Sequence, residues 1–406
     1  MAMPIRKTLK RGRTKVPTFR QETNKYCGPA SAKMVLRWLK VTRSQNQLWD
    51  VLQDAADTLG LPLCESCEGS ELCEPWSTNP EALADVLKGL AKAPIKLISE
   101  RSAAATDHAI VWSLINDIPA VALVHGWAHW LVVHGYHVDR EPANIDDTGY
   151  QLLGLDVIDP WPPTPARVFV DAAEWRSDYL NGVPCGRFTG SFVAVCDPEP
   201  TRPKGGPTVP ARPTDWQDPK RGGRLGGKAG GSERMLPMER ARNAAMDGIE
   251  RAGLTKAEVW RTAMRGSKPG APQVVHRLDR PRQLYLMVPF EKGKTTTAQV
   301  LVDAYSGALL TARATENVKR TLAKPWSVED AIDRVARRRW DLPGARANLQ
   351  VRREALSAST TMVWKPCTES LSPFMPFTRV SYGDYAFYVR IDGEVFTALT
   401  RPSPGG

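Results

Sequence analysis

The sequence predicts an α+β protein: helices first and an antiparallel sheet after, in two lobes, followed by a smaller α+β region. Three observations carry that expectation. Up to residue 116, apolar side chains recur mostly at helical spacing. From residue 118 to about 196 the pattern turns to short apolar runs bounded by Gly, Pro and Asp. Residues 201–233 then hold few apolar side chains and many Pro and Gly, the composition of a linker.

The elements follow in order. Residues 1–20 read as a basic, mostly extended tail carrying Arg6, Lys7, Lys10, Arg11, Arg13 and Lys15. Residues 30–40 place Met34, Val35, Trp38 and Leu39 on one helical face, and 45–59 read the same way. Asn79-Pro80 opens a third helix, with Pro in its first turn and Leu83, Val86, Leu87 and Leu90 along one side. A short strand is expected over 95–98, and a helix over 107–116 that stops before Ile118-Pro119. "PAVALVHGWAHWLVVHGYHV" reads as two strands broken at Gly126, and "YQLLGLDVIDP" as a strand stopped by Pro160. "ARVFV" is another strand, 171–180 a helix and "FTGSFVAV" a last strand. Helices leading and antiparallel strands following make an α+β domain over 21–200.

Beyond the linker, residues 234–406 repeat the mixture. Helices are expected over 238–252, 256–264 and 328–338. Strands are expected at "QLYLMVPFE", "TAQVLVDA", "ALLTAR", "YAFYVRID" and "EVFTAL", with turns at Ser306-Gly307 and Asp392-Gly393. The pair "VDAYSGALL" and "RIDGEVFTAL" suggests a duplicated helix-plus-hairpin unit.

Bulk properties narrow the function classes. A length of 406 residues allows two or three domains. The net charge of +11 suits an acidic partner: nucleic acid, an anionic membrane surface or an acidic protein. No aromatic-rich RNA motif or helix-turn-helix signature accompanies it, so nucleic acid is not the expected partner. No apolar run resembles a signal peptide or a membrane span, which predicts a soluble, cytoplasmic protein without membrane contact. Seven cysteines without a secretory signal predict free thiols rather than a disulfide framework. Cys185, Cys196 and Cys367 read as buried or inert thiols. Cys64, Cys67 and Cys73, in "CESCEGSELC", leave structural zinc, a disulfide or free thiols open.

The chemistry centres on "QETNKYCGPASAKMVLRWLK", residues 21–40, where Cys27 precedes Gly-Pro-Ala and a helical pattern. A thiol at a helix start sits at the positive end of the dipole, which favours the thiolate. A cysteine nucleophile also needs a base, a group orienting that base, and donors for the oxyanion. His129 heads the strand "HWLVVHGYHV", and Asp159 ends the next predicted strand in "VIDPW". In neighbouring antiparallel strands, the start of one and the end of the other share a sheet edge. Gln21, six residues before Cys27, offers a side-chain amide as oxyanion donor. His108, His125, His134, His137 and Asp156 compete for these roles. His134 and Asp156 lie on the strand faces opposite to His129 and Asp159.

Gln21, "YCGPAS", "HWLVVHGY" and "DVIDPW" follow in the order Gln, Cys, His, Asp. Over residues 19–195 this resembles papain-like cysteine peptidases. It is most similar to the double-glycine, bacteriocin-processing family (peptidase family thirty-nine) and its stand-alone relatives. The resemblance implies a papain-like two-lobed domain, with Cys27 as nucleophile, His129 as base, Asp159 as orienting carboxylate and Gln21 as oxyanion donor. It implies no metal and no cofactor, and a protein or peptide substrate cut after paired glycines. Such pairs stand at Gly222-Gly223, Gly226-Gly227, Gly230-Gly231 and Gly405-Gly406. The membrane and ATPase regions of the family's exporters are not seen, and "CESCEGSELC" has the look of an insertion. Residues 234–406 are expected to bind a substrate, a partner or an inhibitor; "VLVDAYSGALL" resembles the strand-turn-strand of PepSY-type domains, which bind or inhibit peptidases. Two alternatives stay open: an acyl transferase of transglutaminase type using the same triad, and a non-enzymatic basic protein or nucleic-acid-binding module.

Overall fold

The computed structural model describes residues 4–11, 14–62, 64–66, 73–163, 166–199, 234–317, 321–342 and 348–405. The linker expected over 201–233, its three glycine pairs, and Cys67 lie outside the described residues. The described residues of Met1–Pro160, Arg167–Ser232 and Ser403–Gly406 make one compact unit, and those of Trp161–Ala166 and Glu233–Pro402 make a second.

In chain order the first unit contains β1 (Ile5–Thr8), α1 (Cys27–Trp38), α2 (Gln45–Thr58), α3 (Pro80–Ala91), β2 (Lys96–Glu100) and α4 (Ala103–Ile115). Then come β3 (Ala120–Val124), β4 (His129–Val138), β5 (Leu152–Ile158), β6 (Ala166–Asp171) and β7 (Phe192–Cys196). The strands are antiparallel in the spatial order β2, β7, β3, β4, β5, β6. β1 lies in the stretch expected to be an extended tail, and it is part of the sheet. Its four residues pair with the far half of β4, from Ile5 opposite Val138 to Thr8 opposite Gly135. Arg6 anchors it through an ion pair with Asp156 of β5. The basic residues that look solvated in sequence therefore include one tied to a buried carboxylate.

Local chemistry explains the helices. Ser44 caps α2 in a reciprocal capping box with Gln47. Asn79 caps α3 by accepting from the Glu81 N–H, and Pro80 takes the first helical position. α1 begins three residues before the apolar periodicity does, at Cys27 itself. Its first turn tolerates Pro29 because those N–H groups have no partner within the helix anyway. Met34, Val35 and Leu36 of α1 are fully buried, each contributing about 1.5–3 kcal/mol of hydrophobic stabilisation. Both α1 and α4 pack on β4, which is buried along its whole length. That is why β4 reads as a continuous apolar run rather than an alternation. The turn from β3 to β4 needs two left-handed residues, His125 at φ 55° and Gly126 at φ 79°. Glycine takes that conformation freely. His125 is held there by its own N–H on the Tyr179 carbonyl and its ring on the Asp178 carbonyl.

The second unit holds α5 (Met238–Arg251), α6 (Glu258–Met264), β8 (Gln273–Arg277), β9 (Leu284–Lys292), β10 (Thr295–Asp303) and β11 (Leu309–Thr315). It continues with α7 (Val328–Ala336), β12 (Met362–Trp364), β13 (Phe377–Tyr382) and β14 (Tyr385–Arg390). β8 to β11 form an antiparallel meander on which α5 and α6 pack. β12 to β14 continue antiparallel with α7 against them, around a core of Ala331, Val335, Phe387 and Val389. The halves join through a parallel pairing of β8 with β12. Each half is thus helix followed by hairpin; Gly307 turns β10 into β11 at φ 72°, and Gly393, at φ 96°, turns the chain after β14 into the paired Val395–Phe396.

Candidate active site

Cys27 is the first residue of α1 and is fully buried. Tyr26, in the cap position, makes no side-chain hydrogen bond to the helix, and no acidic residue stands in the first turn. Nothing in that turn therefore offsets the positive helix end beside the sulfur. Gly28 lets the next segment come close: a Cβ there would lie 2.2–2.5 Å from the Thr78 side chain. The Trp130 backbone N–H donates to Cys27 Sγ at 3.3 Å, and Ser31 Oγ donates to the Trp130 carbonyl at 3.3 Å. Both bonds fix the start of α1 against the start of β4.

β4 and β5 run antiparallel, with Val132 opposite Ile158, so His129 at the head of one and Asp159 just past the end of the other meet at one sheet edge. His129 Nε2 donates to Asp159 Oδ1 at 2.9 Å, and both side chains are buried. Burial alone would lower the His129 pKa. The Asp159 hydrogen bond and charge, and then the Cys27 sulfur, outweigh it and raise the pKa to about 9. With Nε2 directed at the carboxylate, Nδ1 is the nitrogen left for the thiol. The three groups place the imidazole between the thiol and the carboxylate, where it can take the thiol proton as the sulfur attacks.

A pH dependence follows from this raised value. The protonated imidazole stabilises the fold fully below the ordinary histidine pKa of about 6.5, and that contribution is lost as pH rises through about 9. The urea midpoint of the wild type is expected to fall between pH 6.5 and 9.5 by more than that of His129→Ala. Parallel curves for the two proteins would show that His129 is not held protonated.

The competitors have other partners. Asp156 is engaged by Arg6. His134 is buried and its pKa falls well below the usual value, from burial first and then the charges of Arg167 and Arg6. His137 is lowered by burial and Arg6. His108 contacts the Tyr150 hydroxyl and the Ile145 carbonyl.

Gln21 lies close by but is oriented otherwise than its expected role suggests. Its N–H donates to the Pro160 carbonyl at 2.9 Å, next to Asp159, and its side-chain Nε2 donates to the Thr23 carbonyl at 2.8 Å. One of the two amide hydrogens is therefore engaged within the loop. Gln45 of α2 pins the same loop, accepting from the Glu22 N–H and donating to the Arg20 carbonyl. Sequence reading missed Gln45, the Trp130 N–H and Thr78, because backbone groups and loop anchors have no periodic signature.

The thiols differ from expectation. Cys64 and Cys185 are disulfide-bonded, so Cys185 is not the inert free thiol its sequence context suggested. Their sulfurs are thereby removed from any zinc set. Spacing in sequence cannot tell which thiols will meet. Cys196 and Cys367 are free and buried, and burial pushes Cys367 up to about 12. Among the described residues no helix is long and apolar enough to cross a membrane.

The first unit is thus an α+β domain with a cysteine, histidine and carboxylate gathered where its leading helix meets its sheet, a site suited to thiol-based acyl chemistry. Residues 13–179 match the Peptidase_C39 like family, and the chain carries a domain of that family over those residues. That membership suggests a cysteine peptidase acting on a peptide substrate. No curated protein matches the chain.

Proposed function

We propose that the first unit is a cysteine peptidase that hydrolyses a peptide or isopeptide bond on the carboxyl side of glycine, as in Gly-Gly. Cys27 Sγ attacks the scissile carbonyl carbon while His129 carries the proton. The carbon–nitrogen bond breaks, the leaving amine takes the proton from His129, and a thioester to Cys27 remains. Water then adds to the thioester, His129 accepts its proton and returns it to the sulfur, and the acid product leaves. Asp159 orients the imidazole through Nε2. Gln21 contributes its second amide hydrogen to the oxyanion, together with the Cys27 N–H at the helix start. The second unit recognises the substrate or a partner. The observation carrying the reading is the His129–Asp159 hydrogen bond beside a thiol at a helix start, within a peptidase-family domain.

The test is a peptide pool with Gly-Gly, Gly-Ala and Ala-Ala junctions, incubated with the protein and read by mass spectrometry. New carboxyl termini at glycine, formed by the wild type and not by Cys27→Ala, are expected. No new termini from the wild type, under conditions where Cys27 reacts with iodoacetamide, would remove the reading.

A further inference from the structure

The described residues of Glu233–Pro402 belong to the second unit, yet residues 403–405 belong to the first. Pro404 and Gly405 are buried there. Three hydrogen bonds hold them, two to the lips around Cys27 and one to its sulfur. The Ser77 N–H donates to the Pro404 carbonyl at 2.9 Å. The Gly405 N–H donates to the Trp127 carbonyl at 2.6 Å. Cys27 Sγ donates to the Gly405 carbonyl at 3.2 Å. One lip is the segment leading into α3, and the other is the turn from β3 to β4. The carbonyl group that a nucleophilic Cys27 would address in this position is that of Gly405.

We propose that residues 403–405 are a cis-bound occupant of the substrate cleft, seated with Gly405 in a glycine-only position beside Cys27, and that they restrain access to the thiol.

Two independent features make the seat glycine-only. Gly405 has φ 71°, in the left-handed region. A Cβ on it would stand 2.4 Å from the Thr78 carbonyl oxygen and 2.8 Å from the Thr78 nitrogen. That wall is backbone and cannot rotate away. It is also braced from behind. The Trp130 indole donates to the Thr78 carbonyl at 3.1 Å, Gln53 donates to the Ser77 carbonyl at 3.2 Å, and Asn79 caps α3. Trp127 is buried and meets Trp76 edge to face. The occupant is therefore recognised through its backbone on both sides, with side-chain selection by exclusion at one position. This is how an extended peptide substrate would be held. The segment the chain supplies is its own.

The inference takes Cys27 to be the reactive thiol of the proposed peptidase. Its test reads access to the sulfur rather than hydrolysis, so the two can fail separately. Iodoacetamide modification of Cys27 is timed by peptide mapping in the full chain, in Gly405→Val and in a chain stopped after Pro402. A tethered occupant leaves only the open fraction reactive, so both altered chains are expected to label about tenfold faster or more. An amidated peptide spelling residues 401–405, RPSPG, added to the shortened chain should restore slow labelling in a saturable way. The same peptide with valine in place of glycine should not. Equal labelling rates in the full and shortened chains would overturn the proposal, as would equal protection by both peptides. Faster labelling of Cys196 and Cys367 would reveal unfolding of an altered chain, and the wild type then decides. Hydrogen exchange at the Gly405 amide is expected to be slow, and exchange at the free-peptide rate would overturn the proposal.

Discussion

Cys27→Ala is expected to lower peptide hydrolysis by about 10⁴-fold or more, because the residues that act on the thiol contribute nothing to hydrolysis once it is gone. The fold should survive. The sulfur is buried at the start of α1, and its loss leaves the Trp130 N–H without that acceptor, a penalty of about 1–3 kcal/mol. The checks are turnover of a Gly-Gly peptide and a thermal melt on the same sample. A variant that melts like the wild type and still cleaves the peptide would remove Cys27 as nucleophile.

His129→Ala is expected to be nearly as severe, about 10³-fold or more, since it removes the base placed between carboxylate and thiol. Asp159→Asn should be milder. The amide oxygen still accepts from Nε2, so orientation is kept and only the charge is lost. One to two pKa units of lost charge interaction correspond to about 10- to 100-fold. His134→Ala, a neutral and buried histidine on the same strand, should leave turnover within about threefold unless packing fails. Activity ratios normalised to folded protein decide the order. An inactive His134→Ala beside an active His129→Ala would mean that the base had been assigned to the wrong histidine.

Much of the candidate site is legible in the chain. The thiol before a helix, the histidine heading one apolar strand and the carboxylate closing the next are local patterns. Antiparallel neighbours bring such strand ends together, and the 2.9 Å contact of His129 with Asp159 has that origin. Alternation also separates His134 and Asp156 from them, and Asp156 turns out to be the partner of Arg6. Other features have no local cause. β1 looks like a basic tail because its pairing surface is β4, far along the chain. Gln21 looks free to serve the oxyanion because nothing in the sequence shows that the Thr23 carbonyl takes one of its hydrogens.

The sequence by itself determined the element types, the α+β class, the order of Gln21, Cys27, His129 and Asp159, and a peptidase resemblance that the family match over 13–179 supports. Periodicity, caps and turns are contacts between near neighbours, so they are written in short stretches. The tertiary structure alone decided that Cys64 and Cys185 are each disulfide-bonded, that Arg6 serves Asp156, and that Gly405 lies against Cys27. Cys27 and Gly405 are 378 positions apart. A contact of that kind depends on how folded elements close on one another, and no spacing in the chain encodes it.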